Sequence, residues 1–442
     1  MADAGWFGHP RGLSTLFFTE MWERFSYYGM RAFLTFYMVA PVASGGLGFD
    51  VKHATSIYGT YTAGVWAAAI GGGIVADLWL GQYRSVLVGG IVIALGHFSL
   101  ALRALPFFYL GLSLIVVGTG LLKPNVSGIV GSLYDEQDAR RDAGFSIFYM
   151  GINVGAASGP LIAGYLAQKV DWHLGFACAG VGMTLGLAQY VLGRRRLEPG
   201  LARLRARPRP QPAVPGATPL AGGALGFTAV EWRRIGAMCV FFFFAVVFWA
   251  GYEQAGSTLS LFADRYTRLS VGAFSYPSSW FASVQAIFVI LLAPLFAWLW
   301  VRLGPREPSS PAKFTYGLLF IGLSYLLLVP AAQYAQAGAG TRVSPLWLIG
   351  CYFIQELGEL STSPVGLSVF TKLAPVKIVG MMLGVWFLAD SVGNKLAGWI
   401  AGFFTSLPLP QLFGAVGAVS LAAAVVAFTL IGPVKRLMGG VR

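Results

Sequence analysis

Twelve apolar stretches, each long enough to cross a bilayer, decide what this chain can fold into. They fall at roughly 13–40, 54–80, 84–104, 107–133, 143–168 and 172–193, then at 232–262, 280–302, 313–333, 346–372, 378–405 and 409–434. A spanning helix needs about 20 predominantly apolar residues. Hydrocarbon offers no water to backbone N–H and C=O groups, so only helices or a closed β-barrel can span it. A barrel would show short alternating strands, and these runs are continuous. Charged residues make up 11% of the chain, against about 25% in soluble domains, and the mean hydropathy is +0.67. The chain therefore reads as an all-α polytopic membrane protein with twelve transmembrane helices.

The spans group as six plus six, giving an N-terminal bundle over residues 1–193 and a C-terminal bundle over 231–442. Between them, residues 194–230 are rich in Arg, Pro and Gly and suit an exposed cytoplasmic linker, too polar for a further pair of spans. Two such bundles predict a transporter with its site at the bilayer midplane between the halves. The N-terminus lacks a basic region followed by a cleavage site, so the first span is read as a helix that stays. Cys178, Cys239 and Cys351 lie in apolar spans and read as small packing residues, with no disulfide framework.

The net charge of +13 raises the question of nucleic acid, and its distribution answers it. Arg11, Arg84, Arg140, Arg141, the linker arginines, Arg302, Arg306, Lys313, Lys372, Lys377, Lys435 and Arg436 fall on one side of the predicted membrane. Lys52, Arg103, Lys169, Arg265, Arg268 and Arg342 fall on the other. Basic loops stay cytoplasmic, so both termini and the linker are expected there. The basic excess is topological, and no nucleic-acid partner is implied.

Ten ionisable residues remain at membrane depth: Arg24, Arg31, Lys123 and Lys395, with Glu20, Glu23, Glu253, Glu356, Glu359 and Asp390. Unpaired, they would cost on the order of 25 kcal/mol on insertion scales, above a typical net stability of about 5–15 kcal/mol. They must pair, protonate or face water. At about 100° per residue, Glu20, Glu23, Arg24, Tyr27, Tyr28 and Arg31 share an arc of about 140° on the first helix. One polar stripe on an apolar helix marks a cavity wall. Glu356 and Glu359 are three residues apart and share a face. Carboxyls this close in low dielectric cannot both stay ionised, which is what proton coupling needs.

Resemblance adds to this reading. Gly73, Asp77, Gly81 and Arg84 match the G-x-x-x-D-x-x-x-G-x-x-R loop between helices two and three of major facilitator transporters. "TEMWERFSYYGMR" fits an E-x-x-E-R-F-x-Y-Y motif, "FSIFYMGINVGA" fits F-x-x-F-Y-x-x-I-N-x-G, and "ELSTSPVGLS" and "WFLADSVGNKLAG" match tenth- and eleventh-helix motifs. Together these resemble the proton-coupled oligopeptide transporter family of the major facilitator superfamily, as a bacterial member. The resemblance implies the major facilitator fold and uptake of di- and tripeptides with protons by alternating access. It implies that Arg24 and Lys123 hold the peptide carboxylate, that Asn153 and Glu359 hold its amino end, and that Tyr27, Tyr28, Trp249 and Trp386 line side-chain pockets. Trp66, Gln285 and Ser363 fall in the same peptide-binding set. Glu20, Glu23 and Glu359 would exchange protons, the first two pairing with Arg24 and Lys123. Arg31 and Glu253 would pair across the halves as an outer gate. Protons are the coupling ion, and no cofactor or metal is expected. A monomer in the lipid bilayer of a bacterial inner membrane is the expected working form.

Departures from the family pattern are specific. Trp66 stands where relatives often have Tyr, and Ala282, Ser283 and Gln285 replace a usual Q-S-x-N in helix eight. Gly59 stands where animal members carry a His, and His9, His53, His97 and His173 form no cluster. Proton coupling is therefore expected to rest on carboxylates. The scattered histidines and cysteines offer no nucleophile–base pair or metal site, so an intramembrane enzyme is not expected. A channel would not saturate with substrate or respond to a pH gradient. The closest rival is a proton-coupled major facilitator carrier of another small organic or anionic substrate.

Overall fold

The structure, a computed structural model, describes residues 5–135, 138, 140–206, 227–338, 340–375 and 378–440. The first half comprises α1 (Arg11–Val39), α2 (Val51–Val75), α3 (Gln82–Leu100), α4 (Leu105–Ser132), α5 (Arg141–Lys169) and α6 (Trp172–Leu192). A short helix, α7 (Arg194–Ala206), follows. The second half begins with α8 (Ala229–Tyr252), which passes through a 3-10 turn at Glu253–Gly256 into α9 (Thr258–Tyr266). It continues with α10 (Phe281–Leu303), α11 (Ser310–Gln336), α12 (Leu346–Leu373), α13 (Val379–Ala401) and α14 (Leu409–Met438).

Local chemistry sets the helix ends. Asp50 and Asp171 accept from the backbone amides of His53 and His173 and so cap α2 and α6. Thr228 and Glu231 form a reciprocal capping box at α8. α1 stops at Ala40, extended at ψ 141°, because Pro41 disfavours a helical residue before it. At the α2–α3 turn, Gly81 takes φ +74°, a conformation that favours glycine, and Asp77 accepts from Gln82 at 3.0 Å.

Nine of the described helical segments are long and apolar enough to cross a membrane. The three further helices of bundle length, α1, α12 and α13, have 29, 28 and 23 residues. Their shortfall is apolarity, not length, because they carry most of the buried charges. In the first half, α3 lies along α4, and α1 packs on α5 and α6; in the second, α11 packs on α12 and α14, and α8 on α13. The halves meet chiefly through α2 against α13 and α5 against α10.

The linker reading needs correction at its start. Residues 194–206 form a helix whose Leu197 and Leu201 are buried, and it packs on α4, α1 and α6. Arg203 donates to the Ser132 carbonyl at 3.1 Å and pairs with Asp135. The arginines hid an amphipathic pattern, since Leu197, Leu201 and Leu204 recur at helical spacing. Residues 207–226 and Lys377 lie outside the described residues. Near the same end of the bundle, Arg140 donates to the Gly8 carbonyl and holds Asp138, whose carboxyl is pulled down to about 2 by these hydrogen bonds.

Candidate functional site

The buried charges converge at mid-helix between the halves. α1 supplies Glu20, Glu23 and Arg24, all nearly inaccessible. Arg24 Nε lies 3.1 Å from Glu20 Oε1 and also pairs with Glu23. Proximity balances the charges, but the alignment is poor. Arg24 Nε and Nη2, Glu20 Oε2 and both Glu23 oxygens have no aligned hydrogen-bond partner among the described residues. Buried polar atoms are normally bonded, so this cluster has spare capacity for a ligand or water. Phe25, Met30 and Phe33, on the other side of α1, are buried against neighbouring helices.

Two prolines shape the helices that face this cluster. Pro124 directly follows Lys123 in α4, and Pro364 follows Ser363 in α12. Each removes one helical hydrogen bond and bends or loosens the helix there. Lys123 places its Nζ 3.1 Å from the centroid of the Trp66 ring, a cation–π contact. No ion pair of Lys123 with Glu20 or Glu23 forms among the described residues; these carboxylates pair with Arg24. Trp66 is half-buried and stacks on Phe387 of the other half, centroids 5.9 Å apart.

Above Arg24, Tyr27 and Tyr28 lie between two guanidiniums. Arg24 Cζ is 5.3 and 6.0 Å from their ring centroids, and Arg31 Cζ is 6.0 and 5.9 Å. Tyr27 is buried and Tyr28 half-buried. Arg31 pairs with Glu253 of the second half and donates through Nε to Tyr58 of α2.

The second half brings carboxyls. Glu356 Oε1 accepts from Tyr252 at 2.8 Å, and its other oxygen is unpartnered among the described residues. Glu359 sits beside Ser363 and within the electrostatic reach of Tyr149 from α5. Asn153, one turn from Tyr149, donates to that residue's carbonyl at 3.0 Å. Trp249 is buried edge-on against Tyr252, and its indole N–H has no partner among the described residues. Gln285 turns toward Gln355 within its own half at 3.4 Å. Trp386 packs against Phe370 and Phe314 in the core of the second half.

Sequence reasoning missed Tyr58, Tyr149, Tyr252 and Gln355. Tyr149 stood inside the helix-five motif and Tyr252 beside Glu253, so both were open to inspection. Tyr58 and Gln355 had no signal beyond their helix faces.

From mid-helix outward, the halves are tied together at the end remote from the termini. Thr35 donates to the Gly256 carbonyl, Ser283 to Ala157 and Ser391 to Ala63. Gln168 bonds Ser278 and the Ser279 amide, and Lys395 donates to Thr60. Among the described residues, no hydrogen bond between the halves lies nearer the termini than the charged cluster. The site is closed at the remote end.

Two helical bundles with a buried charged cluster between them, tied together by hydrogen bonds at the end remote from the termini, define a multi-pass membrane transporter. The chain matches the POT family (PTR2) over residues 83–199 and 228–418, and it belongs to that family. It is 42% identical to YclF, an uncharacterized transporter of Bacillus subtilis (strain 168), over 99% of this chain and 96% of that one. It is 37% identical to a di-/tripeptide transporter of Lactococcus lactis subsp. cremoris, over 99% and 98% of the two chains. It superposes with TM-score 0.90, at 39% identity, on the crystal structure of a mutant of peptide transporter POT in complex with alafosfalin, covering 99% of this chain and 97% of that one.

Proposed function

We propose that the protein takes up di- and tripeptides with protons by alternating access across a bacterial inner membrane. One observation supports this reading: each half holds ionisable groups at mid-helix inside the bundle, cations from the first half and carboxyls from the second. Arg24 and Lys123 belong to the first half, and Glu356 and Glu359 to the second. A zwitterionic peptide presents a carboxylate at one end and an ammonium at the other, and complementary patches select it. Binding the two ends leaves side chains unread, which suits a broad peptide range.

Arg24 and Lys123 hold the peptide carboxylate through charge-assisted hydrogen bonds. Glu359 and Asn153 hold the amino end, with Ser363 and Gln285 beside them. Tyr28, Trp66 and Trp249 form the nearer walls, while Tyr27 and Trp386 act from behind them. Glu20, Glu23 and Glu359 exchange protons, and Arg31 with Glu253 forms the gate. The basic loops support cytoplasmic termini, so the end closed in this structure is the outer one and the state faces inward. Protons are the coupling ion, no cofactor takes part, no covalent chemistry is catalysed, and a monomer suffices.

The test is uptake of labelled dialanine into proteoliposomes with and without an inward proton gradient. Saturable accumulation that the gradient drives, and that unlabelled dipeptides inhibit, is expected. Transport of other small anions with no competition from dialanine would replace this reading with the rival carrier.

A further inference from the structure

Asp390 lies on α13, the helix through which the second half meets α2. The contact is laid out turn by turn. Phe387 stacks on Trp66, Ser391 donates to the Ala63 carbonyl at 2.8 Å, and Lys395 donates to Thr60 at 2.6 Å. Asp390 is three residues past Phe387 and so leaves the helix one turn beyond that ring. It is 3% exposed, and among the described residues it is the one buried aspartate. Its Oδ1 accepts from Asn394 Nδ2 at 2.7 Å. Its bonded partner is thus an amide where a charged carboxylate would need a cation.

The surrounding groups come from three elements. Lys123 of α4 and Arg31 of α1 face it from the first half, with the Tyr28 hydroxyl, and Glu253 faces it from the turn after α8. Arg31 is already held by Glu253. Lys123 rests on the Trp66 ring, the same ring on which Phe387 stacks. The pairing left open is Lys123 with Asp390, and it bridges the two halves.

We propose that Asp390 is a proton-carrying carboxyl of the second half, whose charge is exchanged against that of the bound peptide through Lys123. The proposal rests on the reading of Lys123 as a holder of the peptide carboxylate. Without peptide, the Asp390 carboxylate and the Lys123 ammonium attract each other across the interface. A peptide carboxylate that takes Lys123 removes this counter-charge. A buried carboxyl without a cation is neutralised rather than kept charged. Asp390 then takes one proton from water on the open side, and the O–H bond forms on the oxygen that Asn394 does not hold. When the peptide leaves, Lys123 returns and the proton passes to water on the side then open. Peptide and proton each favour the other's binding, as linkage requires.

The experiment measures proton uptake when dialanine binds the full-length protein in detergent, by calorimetry in two buffers of different ionisation enthalpy. Asp390→Asn is expected to take up about one proton fewer per peptide than the wild type, and Asp390→Glu to restore it. Uptake by Asp390→Asn equal to the wild type overturns the proposal. A second measurement needs no variant. With ¹³C-labelled aspartate carboxyls, dialanine binding is expected to bring up an infrared band of a protonated carboxyl that carries the isotope shift. A band without the shift, or no band, overturns the proposal. A wild type that binds no dialanine would remove the peptide reading as well, a result distinct from unaltered uptake in Asp390→Asn.

Discussion

Arg31 of α1 forms an ion pair with Glu253 of the second half, at the end of the bundle where the halves are tied together. The same guanidinium holds Tyr58 of α2, so one side chain joins three elements. Both partners are largely buried, at 11% and 7% side-chain exposure. Removing either leaves a buried charge alone, which costs more than the pair is worth. Arg31→Gln or Glu253→Gln is therefore expected to shift the balance toward the state open at this end, by about 1–3 kcal/mol. The measurement is labelling of a cysteine placed below the gate, from the outer side. The swap Arg31→Glu with Glu253→Arg should recover part of the lost uptake. A swap no better than the worse single variant, with labelling unchanged in the singles, removes the gate.

The α1 stripe was legible in the sequence because its period is that of a helix and its charges have no other place in a bilayer. Arg31, two turns beyond Arg24 on the stripe, needed a counter-charge of its own, and the family resemblance supplied Glu253 as the partner. The tyrosines were harder to find, since a Tyr on an apolar helix reads as packing until a charged neighbour is seen. Trp386 shows what a motif leaves open. Its place in an eleventh-helix motif implied a pocket wall, and in the structure its ring packs on Phe314 and Phe370. Rotation about a helix axis depends on neighbours that sequence alone does not locate. The same limit hid the place of Lys123 on Trp66.

Glu20 and Glu23 bracket Arg24 with two carboxyls for one guanidinium. One of them can therefore be neutral without leaving Arg24 unpaired. Glu20→Gln or Glu23→Gln is expected to abolish accumulation driven by a proton gradient while peptide counterflow persists, because exchange needs only a loaded site that reorients. Both assays run on the same proteoliposomes. If both glutamine variants still concentrate dialanine, proton coupling does not run through this pair.

Gly155, the last residue of the helix-five motif, lets α5 touch α1 at the site. A β-carbon there would lie 3.0 Å from Arg24 Cβ and 2.9 Å from the Phe25 amide, and closer still to the Met21 carbonyl. Gly155→Ala must part the two helices, and overpacking of this kind costs about 1–3 kcal/mol. A lower melting temperature is expected, with uptake reduced further than stability explains, because Arg24 moves with its backbone. Gly71→Ala, outside the α2–α3 loop motif, is the control, since nothing among the described residues lies within 4 Å of its added carbon. Equal behaviour of the two variants would show that this contact does not position Arg24.

Lys123 and Arg24 can be separated as holders of the peptide carboxylate. Arg24 is bracketed by two glutamates, so Arg24→Ala strands two carboxylates and disturbs the fold along with the site. Lys123 rests on the Trp66 ring, and its loss leaves one carboxyl, Asp390, to be neutralised by a proton, a smaller structural debt than two stranded carboxylates. Lys123→Ala is therefore the cleaner probe. A hydrogen bond to a charged group contributes about 1.5–3 kcal/mol, which is roughly 10- to 150-fold in affinity at 1.4 kcal/mol per decade. Dialanine binding is expected to fall by that factor. The decisive comparison uses dialanine amide, which lacks the carboxylate charge. The wild type should bind the amide more weakly than the acid, and Lys123→Ala should hardly distinguish the two. This is a double-mutant cycle with one change in the ligand, and its interaction term isolates the contact. If the variant discriminates acid from amide as strongly as the wild type does, Lys123 does not hold the carboxylate, and Arg24 alone carries that task.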